Sequence, residues 1–218
     1  MKIIAFGDAR YKRIAHNWAI YLRNHGINNY TIYSLDCEIH EYLIENKINT
    51  ELLDLNIFEG KTWKWRERVK FVSALLNRGI SVLHSDLDAI WLKNPLSFIE
   101  EDNDIVASTG TYPKDIYKKI GFTVCMGWIY YKSSPIVKIL LENTLNQGVN
   151  HNFDDQVEFN REIFNNPKYS SLNLKTLDQS IISRDQPHNE NTYVAHPLSE
   201  KHIDREKFLK SKNLWTLQ

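Results

Sequence analysis

Apolar and polar positions alternate in blocks along this chain, and the period of the blocks changes from one to the next. Lys2 to Phe6 is a short apolar run that reads as a strand and stops at Gly7-Asp8-Ala9-Arg10. Beyond it, Ile14, Trp18, Tyr21 and Leu22 recur at helical spacing to about Asn24, with Gly26 suited to the cap. Asn29 to Leu35, rich in Tyr, Thr and Ile, reads as a second strand. Asp36 can cap a helix running to about Asn46, and Glu51 to Leu55 reads as a short third strand. Thr62 can cap a helix to Asn77 with Val69, Val72, Leu75 and Leu76 as its apolar stripe and Gly79 just past its end. Ile80 to His84 is again a strand.

The second half is less regular. Asp104 to Ser108 and Val124 to Tyr131 read as strands, and the polar stretch Thr109 to Phe122 between them reads as a mobile loop. Ser134-Pro135 opens a helix to about Asn146, and another is expected over Phe153 to Phe164. Past Pro167 the chain is loop-rich, with short strands expected near Leu172 to Leu177 and Tyr193 to His196 and a last helix from about Asp204. Strands alternating with helices at this spacing predict an α/β fold with a mostly parallel central sheet flanked by helices. A chain of 218 residues suits a single domain over 1–218, its two functional halves meeting near residue 110. In such sheets ligands lie beyond the carboxyl ends of the strands.

Composition narrows the function classes. Lys plus Arg and Asp plus Glu both number 27, so net charge is zero, and nothing favours nucleic acid as a partner. The two cysteines, Cys37 and Cys125, form neither a zinc spacing nor a disulfide framework, and a reducing, cytoplasmic compartment is the simpler reading. No segment is long enough to span a membrane, so any membrane contact would be peripheral. The aromatic content is generous, and Trp63, Trp65 and Trp128 read as packing residues rather than sugar platforms.

One motif carries chemistry. The strand ending at His84 delivers two carboxylates one residue apart, Asp86 and Asp88. Val82 and Leu83 precede them, and Ile90, Trp91 and Leu92 follow, so the pair is framed by apolar residues, unlike a solvated turn. Ionised carboxylates are kept out of cores unless paired or bound to a cation. Their hard oxygens suit Mg²⁺ or Mn²⁺, ions that usually sit between carboxylates and substrate phosphates. Asp8 and Arg10 lie at the end of the first strand and can converge on the same crevice.

Four segments, in this order, resemble the nucleotide-diphospho-sugar transferase family of the GT-A fold, and related retaining transferases of families 8 and 77. The first runs from Lys70 through a helix ending at Gly79 and a strand to Asp86-Leu-Asp88 and a Trp91-Leu-Lys-Asn-Pro95 close. The others are Gly121 to Tyr131, Asp154-Asp155-Gln156 with Asn160, and Val194-Ala-His196-Pro197 followed by Lys201, Lys207 and Leu214-Trp215. The resemblance implies a GT-A-type Rossmann-like domain that uses Mn²⁺ or Mg²⁺ and a nucleoside-diphosphate sugar, a UDP-sugar foremost. It implies transfer to a carbohydrate or other hydroxyl acceptor with retained anomeric configuration. By the same resemblance Asp86, Asp88 and His196 hold the metal, and Asp86 also touches the ribose or the sugar. Asp8, Arg10, Arg66, Lys70 and Lys201 meet the nucleotide, with His202 as the alternative to Lys201. Asp155 binds donor-sugar hydroxyls, and Gln156 sits near the anomeric carbon.

Two other classes compete. A Mg²⁺-dependent phosphohydrolase could use Asp-x-Asp, but the haloacid-dehalogenase pattern needs its acids after the first strand and Gly-Thr behind them, where Ala89-Ile90 stand here. A nucleotide-sugar-binding module without transfer is the other, which the retention of Asp86, Asp88, Gln156 and His196 disfavours. The sequence leaves the base, the sugar and the acceptor open.

Overall fold

A computed structural model describes residues 1–53, 63–147, 153–184, 186–198 and 204–217, with Trp63 and Lys64 described by their backbone alone. In chain order the elements are β1 (Lys2–Gly7), α1 (Lys12–Asn24), β2 (Tyr30–Ser34), α2 (Cys37–Glu45), β3 (Thr50–Leu52), α3 (Trp63–Asn77), β4 (Val82–Ser85) and β5 (Ile90–Trp91). Then come β6 (Ile105–Gly110), α4 (Lys114–Ile120), β7 (Thr123–Tyr131), α5 (Pro135–Gln147), α6 (Asp155–Asn165), β8 (Leu174–Leu177), β9 (Ile182–Ser183), β10 (Val194–Ala195) and α7 (Arg205–Ser211). Seven strands make one sheet in the order β3-β2-β1-β4-β7-β6-β8, and β5-β10-β9 make a small second sheet. The α/β class with a mostly parallel central sheet is the one the blocks predicted.

The chain divides into two compact units, each built from separated stretches. The first comprises Met1–Lys2, Ile57–His84 and Ile99–Leu177. In it β6 runs antiparallel to β7 and parallel to β8, with the β6–β7 register slipping between Ala107 and Ser108. Every residue of β7 is buried. Asn160 of α6 lies against it, accepting from the Val124 N–H and donating to the Val124 carbonyl, both at 2.7 Å. One amide side chain thus satisfies both backbone groups of a buried strand residue, which would otherwise be a costly pair of unmet bonds. Asp154 caps α6 by accepting from the Val157 N–H.

The second unit comprises Ile3–Asn56, Ser85–Phe98 and Asp178–Gln218. Here β1, β2 and β3 are parallel neighbours, Ala5 opposite Ile32 and Ile32 opposite Thr50. Asp36 caps α2 through the Ile39 N–H, as expected of its position. Trp18 of α1 is fully buried and meets Tyr30 and Trp91 edge-on at 5.5 and 6.4 Å. Asn17, also fully buried, holds the end of the chain to α1 by bonding the Leu214 carbonyl and the Thr216 N–H and hydroxyl.

Several expectations change. The stretch Thr109 to Phe122 carries α4 rather than an uninterrupted loop. Pro113 precedes its first turn, Ile116 is buried, and Gly121 closes it at φ 92°, so Pro113 and Gly121 mark the two ends of the helix. Helix α6 begins at Asp155 rather than Phe153, because Asp154 is its cap. Strands β5 and β9 are not predicted by the pattern of the sequence. Trp65 is 45% exposed, with the Arg68 guanidinium 4.7 Å from its ring centre, so it does not pack in a core, whereas Trp128 is fully buried. Both cysteines are free thiols, Cys37 exposed and Cys125 buried. Residues 54 and 55, Thr62, Lys201 and His202 lie outside the described residues. Among those described, no helix is long and apolar enough to cross a membrane.

Candidate functional site

The site begins where β4 stops. Val82 to Ser85 are all buried, and the chain then makes a tight turn closed by the Ala89 N–H donating to the Asp86 carbonyl at 3.0 Å. Leu87 and Ala89 are buried within the turn. The turn is pinned beyond its own residues, because the Trp91 indole N–H donates to the Ser85 hydroxyl at 3.1 Å. Gly7 closes on it from β1: a Cβ there would stand 2.7 Å from Leu87 Cδ1, so only glycine fits without displacement. A buried framework therefore fixes two carboxylates, with Asp88 buried and Asp86 partly open.

Sheet register brings in the third side chain. In the β5–β10 pair, Val194 lies opposite Trp91 and Ala195 opposite Ile90. One step further along both strands, His196 reaches the level of Ala89, next to Asp88. The His196 N–H continues the pairing with β9 by donating to the Ser183 carbonyl at 2.8 Å. The result is His196 Nε2 at 3.4 Å from Asp88 Oδ1 and 3.7 Å from Asp86 Oδ2. One ligand atom from each of the three residues lies within 4.8 Å of the others. Two carboxylates and one imidazole are a donor set that could hold a divalent cation.

Two arginines and a tyrosine surround the trio, none of them foreseen from the sequence. Arg205, the first residue of α7, sets its Nε 3.2 Å from Asp88 Oδ2. Arg184 Nη1 lies 2.9 Å from His196 Nδ1. A guanidinium has only donors, so Nδ1 accepts, and the proton of a neutral ring sits on Nε2 facing the carboxylates. Ligation through Nε2 therefore requires that proton to leave, or to move to Nδ1 where Arg184 now donates. Burial of Asp88 would raise its pKa, but His196 and Arg205 outweigh it and hold the carboxyl at about 2. Burial pushes the Tyr11 hydroxyl up and Asp88 adds to it, with Arg205, to which it is hydrogen-bonded, opposing. The signal for Arg205 was Asp204, whose capping bonds to Glu206 and Lys207 start α7 and set the arginine at its first position.

The remaining expected residues lie as follows. Asp8 and Arg10 pair with each other at 2.7 Å at the end of β1, and Asp8 also accepts from the Arg10 N–H. In the first unit, Arg66 donates to the Leu145 carbonyl and lies over the Phe153 ring, and Lys70 pairs with Glu67. Asp155 is buried and ion-paired to Arg68, a residue that no motif singles out. Its position four residues before Val72, on the apolar stripe of α3, was the available signal. Gln156 is held at both ends of its amide, Oε1 accepting from the Met126 N–H at 3.3 Å and Nε2 donating to the Tyr112 carbonyl at 2.7 Å. Asp86, Asp88 and His196 are thus brought together in the second unit, and Asp155 and Gln156 stand side by side in the first.

The chain is similar in structure to several glycosyltransferases at identities that speak to the fold alone. The galactosyltransferase LgtC, in complex with donor and acceptor sugar analogs, matches with a TM-score of 0.62 and 15% identity, over 100% of this chain and 97% of that one. The apo-form glycosyltransferase GlyE of Streptococcus pneumoniae gives 0.57 and 15%, over 97% of this chain and 60% of that one. Mouse xyloside xylosyltransferase 1 gives 0.52 and 10%, over 84% and 87%. No sequence among the curated proteins compared matches the chain. These neighbours share the GT-A fold, and a family model described as nucleotide-diphospho-sugar transferase covers residues 25–205, the span that holds β4, the acid pair and His196; the chain belongs to that family.

Proposed function

We propose that this family member is a metal-dependent glycosyltransferase that moves a sugar from a nucleoside-diphosphate donor, a UDP-sugar foremost, to a hydroxyl of a carbohydrate acceptor with retention. The observation that carries the reading is the Asp86–Asp88–His196 cluster, whose ligand atoms lie within 4.8 Å of one another on a rigid turn. Mn²⁺ or Mg²⁺ held there would offset the negative charge that gathers on a departing diphosphate. Asp86, the more open of the two acids, would also touch the ribose or the sugar. Asp8 and Arg10 would meet the base and ribose, Arg66 and Lys70 the nucleotide, and Lys201 the diphosphate.

Asp155 and Gln156 would serve the donor sugar. The carboxylate of Asp155 is committed to Arg68, which makes it a poor nucleophile and a good orienting group for sugar hydroxyls. Gln156, fixed at both ends of its amide, would stabilise an oxocarbenium-like centre while the acceptor enters on the face of the leaving group. The free thiol of exposed Cys37 fits a reducing compartment, and contact with a membrane would be peripheral.

The test is a thermal-shift panel of nucleotide sugars with Mn²⁺, repeated with chelator. One donor should raise the melting temperature in a Mn²⁺-dependent way and then be hydrolysed or transferred. A protein that no donor stabilises, but that cleaves a generic phosphate ester with Mg²⁺, would instead be a phosphohydrolase.

A further inference from the structure

The acid pair is already balanced by the chain's own cations. Two carboxylates, Asp86 and Asp88, face two guanidiniums: Arg205 directly on Asp88, and Arg184 through the His196 ring. Arg205 stands on the side of Asp88 away from His196, binding Oδ2 while His196 approaches Oδ1. Its backbone is firmly placed. Asp204 caps α7, Glu206 pairs with Arg13 of α1 at 2.9 Å, and Leu209 is fully buried. Its side chain is about a third exposed, so it can turn away from Asp88 while α7 stays where it is.

We propose that Arg205 exchanges partners as the site loads: it neutralises Asp88 while no divalent cation is bound, and grips the donor's diphosphate once one is. The inference rests on the functional reading above and assigns a residue to it. A divalent cation drawn to Asp88 would meet a guanidinium on the same carboxylate, and like charges at that range repel. A released guanidinium is the side chain best matched to phosphate, since its planar fork fits phosphate oxygens as it fits a carboxylate. The exchange keeps the pocket neutral when empty and leaves it positive only when the cation is in, so that the diphosphate is favoured after the metal.

Opposite shifts in two affinities test this. Mn²⁺ binding is measured from the free-ion electron paramagnetic resonance signal, for the unaltered protein, Arg205→Gln and Arg205→Lys. Calorimetry at saturating Mn²⁺ then measures whichever of UDP, GDP, CDP and ADP binds the unaltered protein most tightly. Melting temperatures confirm that each variant is folded. Arg205→Gln should bind Mn²⁺ alone about tenfold more tightly, and the nucleoside diphosphate about tenfold more weakly, as expected for one charged hydrogen bond gained or lost. Arg205→Lys, which keeps the charge, should fall between the two in both measurements. Equal or weaker Mn²⁺ affinity in Arg205→Gln would overturn the exchange, as would an unchanged diphosphate affinity. Failure of the unaltered protein to bind Mn²⁺ at all would overturn the functional reading itself.

Discussion

Arg68 Nε donates to Asp155 Oδ2 at 2.8 Å, with both side chains almost wholly out of water. The guanidinium also lies over the Trp65 ring, and the buried Tyr131 hydroxyl nearby is pushed up first by burial and then by Asp155. Breaking one half of such a pair strands a charge. Arg68→Met should cost about 3–5 kcal/mol of stability, whereas Arg68→Met with Asp155→Leu should cost much less, because no charge is left alone. Urea unfolding of the three proteins measures both values, and equal losses would mean the pair contributes packing rather than charge compensation.

Asp88→Asn keeps the volume of the side chain and removes its charge. Mn²⁺ affinity should fall by at least about a hundredfold, more than the loss of an outer-shell partner brings, while the protein still folds, with a melting temperature lowered by the loss of the charged contacts to His196 and Arg205. Retained transfer in chelator would contradict a metal role.

The same residue sets a pH dependence. Its folded pKa lies below the ordinary value, at about 2, so its contribution is present above the unfolded carboxylate pKa near 3.8 and disappears as pH falls toward 2. Denaturant midpoints across that window should fall more steeply for the unaltered protein than for Asp88→Asn.

Gln156→Ala should slow transfer more than it weakens donor binding, since the group is assigned to the transition state. A fall in kcat of about tenfold or more with donor KM within a factor of about three is the expected split. The anomeric coupling constant of the product supplies a second readout: an α-linked donor should give an α-linked product, and a β product would require a carboxylate base in place of the glutamine.

Gly7→Ala probes the support beneath the acids. The new methyl would have to displace Leu87 Cδ1, from 2.7 Å, and press on Ile39 Cδ1 at 3.0 Å. Overpacking of this kind costs about 1–3 kcal/mol. Because Leu87 stands between Asp86 and Asp88, Mn²⁺ affinity should drop along with stability. A variant that loses stability but binds Mn²⁺ normally would show that the turn is independent of β1.

The parts of this fold that were legible in the sequence are those held by local pattern. The run to Phe6, the stripe of α1 and the cap at Asp36 each carry their own signal within a few residues. Strands β5 and β9 are two residues each, too short to show any period, and each exists because it pairs with β10, which falls within the strand expected near Tyr193 to His196. His196 was singled out by resemblance, but the register that carries it beside Asp88 depends on the pairing of β10 with β5, a strand the pattern does not show. Arg205 and Arg184 were missed for a related reason. A basic residue becomes part of a site through what the chain sets opposite it, and residue type alone did not separate Arg68 from Arg66 or Lys70.

The segmented build of the second unit has a consequence for synthesis. Asp86 and Asp88 are made more than a hundred residues before His196 and Arg205, the groups that balance them. Asn17, buried in the finished fold, waits still longer for the backbone of Leu214 and Thr216. While the chain is emerging from the ribosome, neither His196 nor Arg205 is there to balance the acids, and water stands in for the later partners of the Asn17 amide. The two acids therefore gain these partners only after His196 and Arg205 have been made, and a nascent chain stalled before residue 196 should hold Mn²⁺ more weakly than the finished protein.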